Sequence, residues 1–324
     1  MRLHTRLSAA LTAGLLAWMF HAAPSRASEW PSQPIKLYVG FPAGSGADIF
    51  IRHFAEKLAK MSPSPVVVEN KAGATGNIAT GTVARARPDG YHILLAANSN
   101  MAGSKFLFKD LPFDTFQDFV PAATFGQIGF ILVVSPKARF SNVGEMITEL
   151  KARGQVKYGY TNQTSQFSTE FLKAKTGLVA VPVPYRTAPD ALPDVVDGTL
   201  DFMIMDGAFA AANVRSGRLR ALAVTTRQRL DGFPDVPTME QSGIPDYDFV
   251  SWWGAYLPRG TPDEIVSKVG KWFNDISKQP ETRTFLSGIA GLPMSDSGPE
   301  ARARLAAEIE KWEFVVKTAG ISPK

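Results

Sequence analysis

The stretch "YVGFPAGSGADIF", residues 38–50, sets Gly44, Ser45, Gly46 and Asp48 at a strand-to-helix turn. Such a turn leaves backbone N–H groups unpaired at the positive end of a helix dipole, so its default occupant is an anion. A dinucleotide would need a third glycine three residues after the second, but Ala47, Asp48 and Ile49 follow Gly46. A phosphate loop would need a Lys-Ser/Thr pair, which is missing, and Asp48 would repel phosphate. Asp48 either accepts a hydrogen bond from a ligand N–H or O–H or complements the helix N-terminus.

Other chemistries find few residues. Once a leader is set aside, His53 and His92 are the histidines left for a serine hydrolase, and both sit in predicted elements away from the turn, as structural residues would. There is no cysteine, no histidine pair at helical spacing and no calcium-loop pattern, so neither a metal nor another cofactor is expected. No catalytic residue is assigned, and the chain is read as a binder and not an enzyme.

The elements that must position the turn alternate strand and helix. Strands are predicted at 35–41, 66–69 and 92–97, with helices at 48–60 and 76–87. A second series begins near Phe130: strand to Val134, helix 143–153, strand 156–160, helix 166–175 closed by Gly177, and strands 179–183, 199–205 and 219–225. Past Val250 a strand through 251–256 is followed by helices only, two of them opened by capping boxes at Thr261 and Ser297. Trp252 and Trp253 must face opposite ways on their strand, one to the core and the other to a cleft or hinge, while Trp312 and Phe314 read as packing residues. This is an α/β chain with mainly parallel sheets flanked by helices. No flexible tether separates the two series, which favours two hinged lobes.

Ligands of open α/β sheets lie beyond the carboxyl ends of the strands. That selects the loops "FPAGSGAD" (41–48), "KAGATGN" (71–77), "ANSN" (97–100, with Asn98), "YTNQTSQ" (160–166), "YRTAPD" (185–190) and "MD" (205–206). They carry small, hydroxyl and amide side chains and few titratable groups, so they suit polar recognition better than proton transfer.

Residues 1–27 have the form of a cleaved signal peptide: Arg2 and Arg6, an apolar run from Leu7 to Phe20, and Ser25-Arg26-Ala27 before the predicted cut. The run is shorter than the roughly 20 residues that span a bilayer. The formal charge of +5 falls to +2 when Arg2, Arg6 and Arg26 leave, and no basic cluster supports a nucleic-acid surface. Without cysteine there is no disulfide and no lipid-bearing N-terminal residue, so a soluble periplasmic protein is expected.

Taken in order, "FPAGSGAD", "VVVENKAGATGN", "ARPDGYHILLAANS", "VPYRTAPDALPDVVDGTLDFMIMD", "SGRLRALAVTT", "DVPTMEQSGIPDYDFVSWWGAYLPRGTP" and "WEFVVKTAGI" resemble the solute-binding proteins of tripartite tricarboxylate transporters, the Bug family. The resemblance implies a two-lobed, type II-like Venus-flytrap fold, with residues 28–128 plus 251–324 in one lobe and 129–250 in the other. It implies a small organic carboxylate held by backbone amides and ordered water and delivered to membrane permease subunits, by a protein expected to be a monomer. Carried over residue by residue, Phe41, Ala43, Gly44, Ser45 and Asp48 line one wall, with Asp48 at the ligand's polar end. Opposite stand the loop with Thr161, Asn162, Gln163 and Ser165, the turn Thr187-Ala188-Pro189, and Asp206. The family usually has a glycine- and serine-rich stretch ending in histidine where this chain reads Tyr160 to Gln166. The bulkier amides imply a smaller or re-aimed pocket. A sensor-kinase ectodomain as partner, or an enzyme on the same scaffold, are the alternatives.

Overall fold

The computed structural model describes residues 30–319, so the predicted leader and its cleavage site lie outside the described residues. The first series is β1 (Ile35–Val39), α1 (Gly46–Met61), β2 (Val66–Asn70), α2 (Asn77–Ala84) and β3 (His92–Ala97), followed by α3 (Ser104–Leu107). β1 runs parallel to both β2 and β3. Its alternate residues Ile35, Leu37 and Val39 pack with Phe50, Ile51, Phe54 and Leu58 of α1, which recur at helical spacing, while Tyr38 joins the opposite core.

β4 (Phe119–Val134) is the spine of the molecule. Its first part pairs antiparallel with β9 (Val250–Pro258) and β10 (Gly291–Ser297). Its last residues pair antiparallel with β7 (Phe202–Asp206) and β8 (Arg220–Val224). The switch falls at Gly129 and Phe130, and strand order runs β2-β1-β3-β9-β4-β7-β5-β6, with β8 and β10 also on β4. β5 (Val156–Tyr160) lies parallel to β6 (Ala180–Pro184) and β7, with α4 (Val143–Arg153), α5 (Gln163–Thr176), α6 (Ala188–Asp197) and α7 (Gly207–Arg215) between and after these strands. The result is one curled sheet in two parts. Each part combines parallel strands with antiparallel ones, because β4 and β9 carry the chain across the molecule and back.

α8 (Asp263–Ser277) and α9 (Pro280–Gly288) cover the first part. The last helix, α10 (Gly298–Ala319), joins the cores: Leu305, Trp312, Val315 and Val316 share one apolar cluster with Tyr38 and Leu94 of the first part and Tyr158, Phe202 and Ile204 of the second.

Four expectations are corrected. The strand predicted from Phe130 begins at Phe119; Pro121 and register shifts at 121–126 break the alternation by which it would be read. The region after Val250 is not helical throughout, since "GLPMSDS" forms β10, a strand of weak propensity accepted by β4 as partner. Thr261 makes no capping box. Its hydroxyl donates to the Pro258 carbonyl at 2.7 Å and Pro262 occupies the cap, whereas Ser297 N donates to Glu300 Oε2 at 2.8 Å as expected. Phe314 is 59% exposed, so its side chain does not pack as Trp312 does. Among the described residues, no helix is long and apolar enough to cross a membrane.

Candidate functional site

A cavity of about 70 Å³ lies where the two parts of the sheet meet. Its apolar wall is Phe41, Ala47, Ile128, Phe130 and Trp253; its polar wall is Ser99, Asn162, Thr164, Asp206 and Ser251. None of these is Lys, Arg or His. Larger hollows of 510–670 Å³ open on other faces, and their walls contain none of the ligand residues expected from the sequence.

Three helices begin at this cavity. Ala47 lies in the first turn of α1, Asn162 caps α5, and Asp206 caps α7. Each first turn has amide groups without an intrahelical acceptor and carries the positive end of a helix dipole, so three such ends converge on one small volume. Local chemistry explains each start. Ser45 Oγ accepts from Asp48 N at 3.2 Å, Asn162 Oδ1 from Ser165 N at 2.9 Å, and Asp206 Oδ1 from Ala208 N at 3.0 Å. The two sides touch: a Cβ added at Gly46 would lie 3.9 Å from Asp206 Oδ1. Gly207 seats α7 against the spine, since a Cβ there would come within 2.3 Å of the Gly129 carbonyl oxygen.

Asp206 is partly buried, with two backbone donors, from Ala208 and Phe209, and no salt bridge among the described residues. Burial raises its pKa above the ordinary carboxylate value against the pull of those donors. Across the cavity the indole of Trp253 is 2% exposed, its ring 5.2 Å from Phe41 and 5.4 Å from Phe50. Its Nε1 is buried without a hydrogen-bond partner.

Phe41, Asn162 and Asp206 are the sequence-predicted residues that wall the cavity. Ala43, Gly44 and Ser45 form the loop behind Phe41, and Gly44 takes a φ of +76° that suits glycine. Asp48 is turned into its own loop. Its carboxylate accepts from Gly44 N at 2.8 Å, Arg52 Nε at 2.8 Å and Asn70 Nδ2 at 2.8 Å, which leaves it 2% exposed and off the cavity wall. Burial pushes its pKa up, but these donors and the Arg52 charge outweigh that and hold it below the usual value. Of the two roles open to Asp48, this geometry is that of the helix clamp.

Asn98 lies apart, donating to Val250 O at 3.0 Å and Glu308 Oε1 at 2.9 Å. Thr161 and Gln163 flank Asn162, and Ser165 is buried with its hydroxyl on the Ile204 carbonyl. Thr187 starts α6, its N and Oγ1 donating to Asp190 Oδ2 at 3.0 and 2.6 Å; neither it nor Ala188 and Pro189 reach the cavity wall. His53 and His92 bond to Thr282 and Tyr38, respectively. Sequence reasoning missed Ala47, Ser99, Ile128, Phe130, Thr164 and Ser251 as wall residues. Ala47, Ser99 and Thr164 lay inside the chosen loops, and the alternation at Trp252-Trp253 is the signal that finds Trp253, with Trp252 turned to the opposite core.

The model of the tripartite tricarboxylate transporter family receptors matches residues 50–321. BugT of Bordetella pertussis is 31% identical over 307 residues, 94% of this chain and 94% of that protein. Rpa4515 of R. palustris, solved with adipate, superposes with a TM-score of 0.82 at 29% identity, covering 91% of this chain and 100% of that one. MatC (Rpa3494) from Rhodopseudomonas palustris, with bound malate, gives a TM-score of 0.76 at 25% identity over 89% of this chain and 100% of that one.

Proposed function

The chain belongs to the family of tripartite tricarboxylate transporter receptors, and from that premise we propose that it is a periplasmic receptor that encloses a small organic carboxylate between its lobes and delivers it to membrane permease subunits. We assign residues 30–128 and 251–319 to one lobe and 129–250 to the other. The passage of β4 between sheets at Gly129 and Phe130 supports this division.

The observation that carries the reading is the convergence of three helix N-termini on a cavity with no cationic wall residue. Carboxylate recognition by oriented amides needs no arginine. Each charge-assisted hydrogen bond contributes about 1.5–3 kcal/mol, so a handful reaches the ~8 kcal/mol of micromolar affinity after the entropic cost of association. With neither histidine at the cavity and no assembled nucleophile and base, the site fits retention of a ligand and not its conversion. The adipate and malate held by the two structural relatives fit the same ligand class.

A thermal-shift screen against mono-, di- and tricarboxylates tests the capture step. A ligand at 100 times its Kd adds about 2.7 kcal/mol of stability, and a shift confined to one class of acids is the expected result. Silence from every acid would remove the reading. For delivery, membranes should yield permease subunits on the liganded receptor; recovery of a sensor ectodomain with no permease would replace transport by signalling.

A further inference from the structure

Resting on the carboxylate reading, we infer that the cavity selects a compact monocarboxylate bearing a hydrogen-bond donor next to its carboxyl group, a 2-amino or 2-hydroxy acid, with Asp206 receiving that donor and Trp253 Nε1 donating to the carboxylate. Four observations converge.

The first is charge. The three helix ends supply the cavity's positive potential, and the Asp206 carboxylate already caps one of them. The second is Asp206. It faces the first turn of α1 from across the cavity, with a Cβ at Gly46 only 3.9 Å from its Oδ1. A carboxylate so placed, with only backbone N–H groups of its own helix as donors, opposes a second carboxylate and favours an ammonium or hydroxyl. The third is the indole of Trp253, on the wall across the cavity from Asp206, whose N–H is buried without a partner. Buried donors are nearly always paired, so an unpaired one beside a cavity marks where an acceptor belongs. The fourth is size. About 70 Å³ is the space of about two waters at roughly 30 Å³ each. A three-carbon amino or hydroxy acid needs the least widening of so small a cavity, and longer diacids need more.

Isothermal titration of the purified chain with L-alanine, L-lactate, propionate, malonate, succinate and adipate tests the inference. Alanine or lactate should bind at least tenfold more tightly than propionate, which lacks the donor, and than any of the three diacids. In Asp206→Asn, which keeps a good helix cap, that advantage should shrink at least tenfold while malonate gains. Trp253→Phe, which keeps the ring, should weaken alanine and lactate about tenfold with no change in their order. Circular dichroism and unfolding midpoints of both variants separate altered selectivity from lost folding. Preference of the native chain for a diacid, or an Asp206→Asn variant with unchanged ratios, would overturn this inference while leaving the carboxylate receptor intact. No heat from any of the six acids would overturn this inference, and the wider thermal-shift screen decides the carboxylate reading separately.

Discussion

Asp48 and Asp206 sit on helix starts that face one another, yet their environments drive their ionisation in opposite directions. Asp48 is surrounded by donors and a guanidinium, so its folded pKa lies below the ordinary value; Asp206 is partly buried without a cation, and that burial raises its pKa. The signs of their contributions to stability follow. Asp48 contributes stability that is complete above the ordinary carboxylate range and is lost as pH falls from about 5 through its folded value. Asp206 works the other way: folding is favoured while it is protonated, and stability declines as pH rises from the ordinary value through the raised one. Urea unfolding from pH 3 to 7 should therefore show Asp48→Asn flattening the acid limb. Asp48→Ala should cost about 2–3 kcal/mol at neutral pH, because the Gly44 and Asn70 donors lose their acceptor. An unchanged acid limb in Asp48→Asn would show that the clamp carries no net charge effect.

At the scale of elements, α10 ties the molecule together. Its Glu308 accepts from Trp312 Nε1 at 2.8 Å, Asn98 Nδ2 at 2.9 Å and Trp252 Nε1 at 3.2 Å, with Lys311 Nζ 3.9 Å away. One buried carboxylate thus joins the last helix, the segment after β3 and the returning strand β9. Phe167 of α5 closes the other side, its ring edge-on to Trp312 at 4.7 Å. Glu308→Ala would strand three buried donors, and we expect a loss of about 3 kcal/mol or more in urea unfolding, far beyond the few tenths of an exposed i,i+4 pair such as Lys317 with Glu313. A loss below about 1 kcal/mol would mean that water replaces the carboxylate. The same network explains Asn98: its loop lies at a strand's carboxyl end as a ligand residue should, but its amide is committed to holding β9.

At the scale of the molecule, β4 and β9 connect the two parts through strands, so a hinge between the proposed lobes would fall at the few residues around Gly129 and Val250. A receptor built this way should become more compact as ligand closes the lobes, and small-angle scattering with and without a bound acid should show a smaller radius of gyration in its presence. The wall residues also predict weak salt dependence. With no cationic side chain at the cavity, affinity should change by less than about twofold between 50 and 500 mM salt, since oriented buried amides are poorly screened. A steep slope would point to a cation outside the present wall, with the exposed Arg186 the first to replace by alanine.

The sequence alone determined what depends on neighbours a few residues apart. The α/β alternation, the closing Gly177 and the opposite facing of Trp252 and Trp253 follow from periodicity and local turn chemistry, whereas the helices predicted from 48 and 166 start earlier, at Gly46 and Gln163, behind the caps Ser45 and Asn162. Tertiary structure decided what depends on residues far apart in the chain. β10 is a strand because β4 offers it an edge, and Phe119–Gly129 are strand because β9 and β10 pair with them. The wall of the cavity was decided the same way: Phe41, Asn162 and Asp206 line it while Asp48, Asn98 and Ser165 turn away, each drawn to a buried partner. A polar side chain in a loop can satisfy itself inward or serve a ligand. Which it does depends on the donors and acceptors that packing brings within about 3 Å, and those are distant in sequence.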